Sequence, residues 1–181
     1  MRPVLLFLLG LLFLGSTSYL EASAKVVGKI TKVQKQANVG GGAARVGKSV
    51  KMNDRLVTGA GARLQVTFVD GTLLTLGENA VVVVDRYVFN PAKGSGEMAL
   101  TSTKGAFRFA TGKLNEMNKK DVKVTTPHGA LAVRGTEFWS GPIDGHYGTY
   151  VKEGRVSTRN RGRSVNIYRG QGVDYRSRRR R

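Results

Sequence analysis

RLQVTFVDGTLLTL, running from Arg63 to Leu76, decides the fold class. Leu64, Val66 and Phe68 alternate with Arg63, Gln65 and Thr67, and beyond the intervening residues Leu74 and Leu76 flank Thr75. A period of two places the apolar set on one face of a strand and the polar set on the other. Asp70-Gly71 stands between the two alternating segments, the strongest short signal for a β-hairpin. This stretch therefore predicts two antiparallel strands with one buried face.

The same pattern extends in both directions. Val81 to Val84 and Tyr87 to Phe89 are β-branched or aromatic, with Asp85 read as a polar residue at the exit of a buried strand. Phe107 and Phe109 straddle Arg108, and Val122 and Val124 straddle Lys123. Tyr150-Val151 and Arg155-Val156 flank Lys152-Glu153-Gly154, which reads as a second hairpin. Val165, Ile167 and Tyr168 precede Gly170-Gln171-Gly172. Short strands at intervals of roughly 8 to 12 residues predict an all-β fold, a single domain of many short antiparallel strands, solenoid- or roll-like. The 24 glycines supply the positive φ that such turns need. Val39 to Gly42 reads as a flexible loop. Only Ala110 to Lys120 has any helical character, and Gly112 interrupts it.

The chain opens MRPVLLFLLGLLFLGSTSYLEASAKVVG. A basic residue, an apolar run from Val4 to Leu14 and the small-residue site Ala22-Ser23-Ala24 have the order of a secretory signal peptide cleaved before Lys25. The apolar run falls short of the roughly 20 residues of a membrane span. The expected organisation is a signal peptide over 1–24, a β domain over 25–173 and a basic disordered tail over 174–181. The expected location is the periplasm or beyond, in the cell envelope. The chain has no cysteine, so its core must rest on apolar burial alone.

Charge is the strongest compositional signal. The net charge is +18, and removal of Arg2 and Glu21 with the leader leaves it unchanged. Residues 152–181 alone hold eleven Lys or Arg against Glu153 and Asp174. Such a surface attracts polyanions. In an exported protein those are anionic lipid, lipopolysaccharide and acidic polysaccharide, with nucleic acid the least favoured partner.

Several chemistries can be set aside. Gly42 to Ser49 matches the P-loop pattern, but no strand delivers the chain to Gly42 and no helix can start at Lys48-Ser49 before Gly59 and Gly61, as phosphate binding requires. A Gly-rich loop entering a strand is the expectation. His128 and His146 lack partners at metal-ligand spacing, so neither a metal nor a cofactor is expected. Asp70, Asp144 and Glu153 each adjoin a glycine, where turn formation accounts for them. No enzyme is expected; the alternatives are an envelope hydrolase with a carboxylate pair assembled by the fold, or a polyanion-binding protein.

At Val122 to Phe138 the chain reads VKVTTPHGALAVRGTEF. Thr126, Pro127, Val133, Arg134, Gly135, Thr136 and Phe138 resemble the signature of the FecR domain, named for the iron-dicitrate sensor proteins of bacterial envelopes. Upstream, Val46-Gly47 and Asp54 to Thr58 resemble its opening segment, with Asn53 where Gly is usual. Leu64 to Gly71, ending in Asp70-Gly71, and Gly105 to Phe109 resemble two further segments. The likeness spans about residues 26–173. It implies an all-β, solenoid-like domain that acts by binding, in signalling or envelope assembly, and no catalysis. Only Met1, Arg2 and Pro3 precede the apolar run, so the expectation is a stand-alone exported module that binds an envelope protein or polysaccharide.

Two features bear on that binding. Gly135 is expected to allow a bulge or a close backbone approach, and Arg134 to face solvent or be paired. The tail residues Arg176, Arg178, Arg179, Arg180 and Arg181 suit electrostatic docking on an anionic membrane or lipopolysaccharide surface.

Overall fold

The structure, a computed structural model, describes residues 24–160 and 162–175. The leader, apart from Ala24, and the arginines of 176–181 lie outside the described residues. In chain order the strands are β1 (Val26–Gln34), β2 (Ala37–Val39), β3 (Gly42–Ala43), β4 (Ser49–Lys51), β5 (Arg55–Thr58), β6 (Arg63–Phe68), β7 (Leu73–Leu76) and β8 (Val81–Asn90). They continue as β9 (Ser95–Lys104), β10 (Phe107–Ala110), β11 (Lys119–Thr126), β12 (Gly129–Ile143), β13 (His146–Asn160), β14 (Arg163–Tyr168) and β15 (Gly172–Asp174). Among the described residues there is no α-helix. Two short 3₁₀ turns, Pro91–Lys93 and Lys113–Glu116, complete the secondary structure.

All strands join one sheet in the order β3-β2-β5-β8-β9-β11-β12-β10-β7-β6-β1-β4, with β13 on the other side of β12 and carrying β14 and β15. The sheet curls on itself into a half-barrel, so that one face of nearly every strand is turned inward. The Arg63–Leu76 hairpin forms as its alternation dictates: β6 pairs with β7, Leu64 opposite Leu76 and Val66 opposite Leu74. Leu64, Val66, Phe68, Leu74 and Leu76 are all buried. They share one buried core with Val82, Val84, Met98, Leu100, Val124, Leu131 and Val156. Phe138 packs between Phe107 and Phe109, at ring-centroid distances of 5.8 and 5.6 Å.

β12 joins the two halves of the half-barrel. Its first half pairs with β11 through Ala132 opposite Lys123, and its second half with β10 through Phe138 opposite Phe109. β13 accompanies it throughout, with the register slipping between Arg134 and Phe138. Gly135 (φ 60°) and Gly154 (φ 76°) lie at that slip. An added Cβ on Gly154 would stand 1.9 Å from the Gly135 carbonyl oxygen. The bulge expected at Gly135 is therefore present.

The structure departs from the sequence expectations at several points. Lys152-Glu153-Gly154 is no hairpin turn; it is the bulge within β13, because a glycine at positive φ serves a bulge as well as a turn. Val39 to Gly42 is no flexible loop. Gly40 and Gly41, both at positive φ, close a two-residue hairpin between β2 and β3, and Val39 is fully buried. Asp85 lies within β8, at an irregularity between Val84 and Arg86, and not at a strand exit. Of Ala110 to Lys120 only Lys113–Glu116 turns, as a single 3₁₀ turn. The boundary at residue 173 falls inside β15: the Tyr175 amide donates to the Tyr147 carbonyl and its hydroxyl reaches Thr158 Oγ1 at 2.9 Å. β12 and β13 run fifteen residues each, and one pairing, β9 with β11, is parallel. Parallel pairing needs a crossover of a dozen or more residues, which 105–118 supplies by crossing through β10.

Candidate functional site

Three residues of the sequence signature, Asp70, Gly135 and Thr136, meet at one internal joint. Asp70 lies in the β6–β7 turn but points inward and is only 1 % exposed. Its carboxylate accepts from the Thr72 hydroxyl (2.6 Å), the Tyr87 hydroxyl (2.9 Å) and the Leu114 amide (3.1 Å). The Asp70 carbonyl accepts from the Lys113 amide, and the Thr72 hydroxyl from the Gly112 amide. The carboxylate holds its own turn through the Thr72 amide and hydroxyl and also pins the segment entering the Lys113–Glu116 turn. Burial and the Asp70 charge push the Tyr87 hydroxyl well above the ordinary tyrosine range. Gly71, at φ 84°, turns the hairpin.

The same segment meets β12. The Thr111 amide and hydroxyl both donate to the Thr136 carbonyl, and the Thr136 hydroxyl donates to the Arg155 carbonyl at 2.8 Å. A Cβ on Gly135 would meet the Asn115 side chain at 2.6 Å. Asp70, Gly135 and Thr136 thus grip residues 111–115 from two sides, and Phe138 anchors the core beneath. Thr126 and Pro127 are elsewhere, at the β11–β12 turn, where the Thr126 hydroxyl donates to the Gly129 carbonyl and accepts from the His128 amide. Asn53 has φ 67°, a left-handed conformation that Asn tolerates better than most side chains; this is why it can stand where Gly is usual.

The P-loop-like stretch has no phosphate cradle. Gly42–Ala43 is β3, Ser49–Lys51 is β4, and the Lys48 ammonium donates to the carbonyls of Val39 (2.8 Å) and Ala43 (3.1 Å). Facing carboxylates do occur: Glu97 is opposite Asp121 and Glu137 opposite Glu153. Glu97 and Asp121 are held by Arg86 and Lys123, each at 2.6 Å. Glu137 is shared by Arg108 and by Lys152 at 3.0 Å. Burial raises its pKa, but hydrogen bonds from Lys152 and Arg108 outweigh this and hold it below the ordinary carboxylate value. A glycosidase-type pair needs one carboxyl kept protonated beside an ionised one; Glu137 is held ionised by Arg108 and Lys152, and Glu153 opposite it is exposed to solvent. No group of three or more metal-ligating side chains occurs among the described residues.

What remains is surface. Arg134 faces solvent, directly opposite Arg155, which is itself opposite Tyr168 on β14. Arg159 follows two rows on, between Ala130 and Ser164. Among the described residues none of Arg134, Arg155, Arg159, Arg163 or Arg169 is in an ion pair. Like charges directly opposite on a sheet are destabilising, so this arginine face carries a cost that a bound anion would relieve. Charge counting foresaw a basic end, but not that strand pairing would set Arg134 against Arg155.

The family model described as FecR protein matches residues 54–157, more than half of the chain. The chain belongs to the FecR family. The matched span runs from the Asp54 turn through the Asp70 joint and the Gly135–Gly154 bulge. Two crystal structures from Parabacteroides distasonis ATCC 8503, both described as a candidate anti-sigma factor, are similar at 17% identity, with TM-scores of 0.49 and 0.51. Each alignment covers 66% of this chain and 58% of the other. The second of these likenesses shows a shared FecR-type fold. Comparison with curated proteins gave no match.

Proposed function

We propose that this FecR protein is an exported, non-enzymatic binding module of the bacterial envelope, serving signalling or envelope assembly and held on anionic surfaces by its arginine face. The observation that carries this reading is the unpaired juxtaposition of Arg134 and Arg155, extended by Arg159. The family and the fold shared with a candidate anti-sigma factor support a regulatory role, and the ion pairs of Glu137 speak against it as a proton donor. The leader-like start supports export, and the arginines of 176–181 add to the attraction.

Cosedimentation with phosphatidylglycerol-containing vesicles at low and high salt tests the reading. The chain binds at low salt and is released as salt rises. Arg134→Gln/Arg155→Gln/Arg159→Gln removes three cations at about 1 kcal/mol each, a loss of roughly a hundredfold. Equal binding by this variant and by the parent overturns the arginine-face assignment. A variant lacking 176–181 measures the tail's share separately.

A further inference from the structure

A second surface lies on the same outer side of the sheet as the arginine face, five residues along β12 and β13 from Arg134 and Arg155. An open groove of about 560 Å³ is bordered by Thr31, Lys32, Arg63, Gln65, Thr75 and Arg108. It continues along one register row that crosses five strands. Gln65 is opposite Thr75, Thr75 opposite Arg108, Arg108 opposite Trp139 and Trp139 opposite Tyr150. Directly opposed residues share a face, and four steps of about 4.8 Å give a strip roughly 19 Å long.

The strip has a built character. Tyr150 is 47 % exposed and Trp139 is half-buried. The Trp139 ring lies against Gly141, where a Cβ would come within 3.1 Å of Cζ2, and Tyr150 Cδ2 lies 3.6 Å from the Cβ position of Gly172. Glycine neighbours let both rings settle against the sheet. Arg108 is fixed by Nε and Nη2 both donating to Glu137, at 2.9 and 2.5 Å, which leaves its Nη1 side free. Gln65 and Thr75 form a polar ladder at 3.4 Å. Lys32 and Arg63 are exposed and, among the described residues, in no ion pair.

We infer that this strip binds a linear acidic polysaccharide lying across the strands. Trp139 and Tyr150 receive the apolar faces of sugar rings, Gln65 and Thr75 meet hydroxyls, and Lys32, Arg63 and the free side of Arg108 meet uronate carboxylates. A peptide is the poorer fit, since extended peptides add along a sheet edge and this row crosses the interior of the sheet. The inference rests on the binding-module reading and names the ligand class of a neighbouring surface.

Trp139 is the sole tryptophan, so its emission reports on the site directly. Titration of the full chain with polygalacturonate changes that emission saturably. Tyr150→Ala weakens the response about tenfold, and Lys32→Gln/Arg63→Gln weakens it and flattens its salt dependence; all these side chains are exposed, and circular dichroism checks the fold. Inorganic polyphosphate, a polyanion without rings, binds without altering the emission. Unchanged emission with polygalacturonate overturns the inference, as does an equal response in Tyr150→Ala or the same emission change with polyphosphate. Polygalacturonate that binds without changing emission belongs to the arginine face, which sinks the strip and leaves the module reading standing. A response kept in the triple arginine variant that has lost vesicle binding supports the strip and separates the two surfaces.

Discussion

The Tyr87 hydroxyl oxygen lies 2.9 Å from the Asp70 amide nitrogen and 2.9 Å from the Asp70 carboxylate. It accepts from the first and donates to the second, so one side chain of β8 closes the turn between β6 and β7. The contact ties strands from the two halves of the half-barrel, and Phe68 stacks on the same ring at 5.5 Å. Because Asp70 also holds the Leu114 amide, three separate stretches of chain depend on one carboxylate.

Asp70→Ala leaves the Thr72 hydroxyl, the Tyr87 hydroxyl and the Leu114 amide without their acceptor inside the protein. Unsatisfied buried donors cost about 1–3 kcal/mol each before relaxation, so a net loss of about 3 kcal/mol or more is expected. Tyr87→Phe removes one shared hydroxyl and costs about 1–3 kcal/mol. In urea denaturation the double variant falls short of the sum of the singles by about 1 kcal/mol, because both act on one network. Strict additivity would show that the two residues do not cooperate.

Alkaline pH acts on the same contact. Burial, then the negative charge of Asp70, raises the Tyr87 pKa in the folded state, while in the unfolded chain it stays near 10. A group whose folded pKa is raised contributes stability that is complete below its unfolded value and is lost as pH climbs toward the folded value. Stability should therefore decline above about pH 10. Burial raises Tyr147 as well, adding to the same slope. Denaturation curves across this range should show a shallower decline for Tyr87→Phe than for the parent; an identical slope would sever the link to Tyr87.

The parts of this fold legible in the sequence are those set by local period. Leu64, Val66, Phe68, Leu74 and Leu76 alternate, and all are buried on one side of β6 and β7. Gly135 was recognisable as a bulge from its place inside an apolar strand. Gly154 was not, because positive φ marks a change of chain direction without saying whether the chain reverses or only slips. Asp70 reads as a turn residue because Gly71 follows it, and it does hold its own turn through Thr72; its further partners, Tyr87 and Leu114, are 17 and 44 residues away. The parallel β9–β11 pair and the Arg108–Trp139–Tyr150 row depend likewise on register between distant strands. No period within a strand encodes such register, so neither surface could be assembled from the sequence alone.

Lys48 offers a test of the rejected triphosphate reading. Its ammonium donates to the Val39 and Ala43 carbonyls, bracing the β2–β3 hairpin. Lys48→Met should cost about 1.5–2 kcal/mol, the lower part of the range for a hydrogen bond from a charged donor. A chain of charge +18 will attract ATP weakly as a polyanion, so any retention seen by equilibrium dialysis should vanish with added salt. That retention should be the same in Lys48→Met as in the parent. Salt-resistant retention lost in the variant would restore a phosphate site at this loop.

Gly154→Ala strikes the joint on which β12 and β13 bend. Residue 154 sits at φ 76°, where a side chain carries a strain of about 1–3 kcal/mol. The new methyl would also stand 1.9 Å from the Gly135 carbonyl oxygen, far inside contact distance, so β13 would have to move away from β12. The expected loss is about 3 kcal/mol or more, read as a lower midpoint in urea. Gly145→Ala, at φ 78° in the β12–β13 turn with nothing near its Cβ position, carries the backbone strain alone and should lose distinctly less. The comparison isolates the close approach of the two bulges: equal losses in the two variants would mean that positive φ, and not the Gly135–Gly154 contact, accounts for the effect.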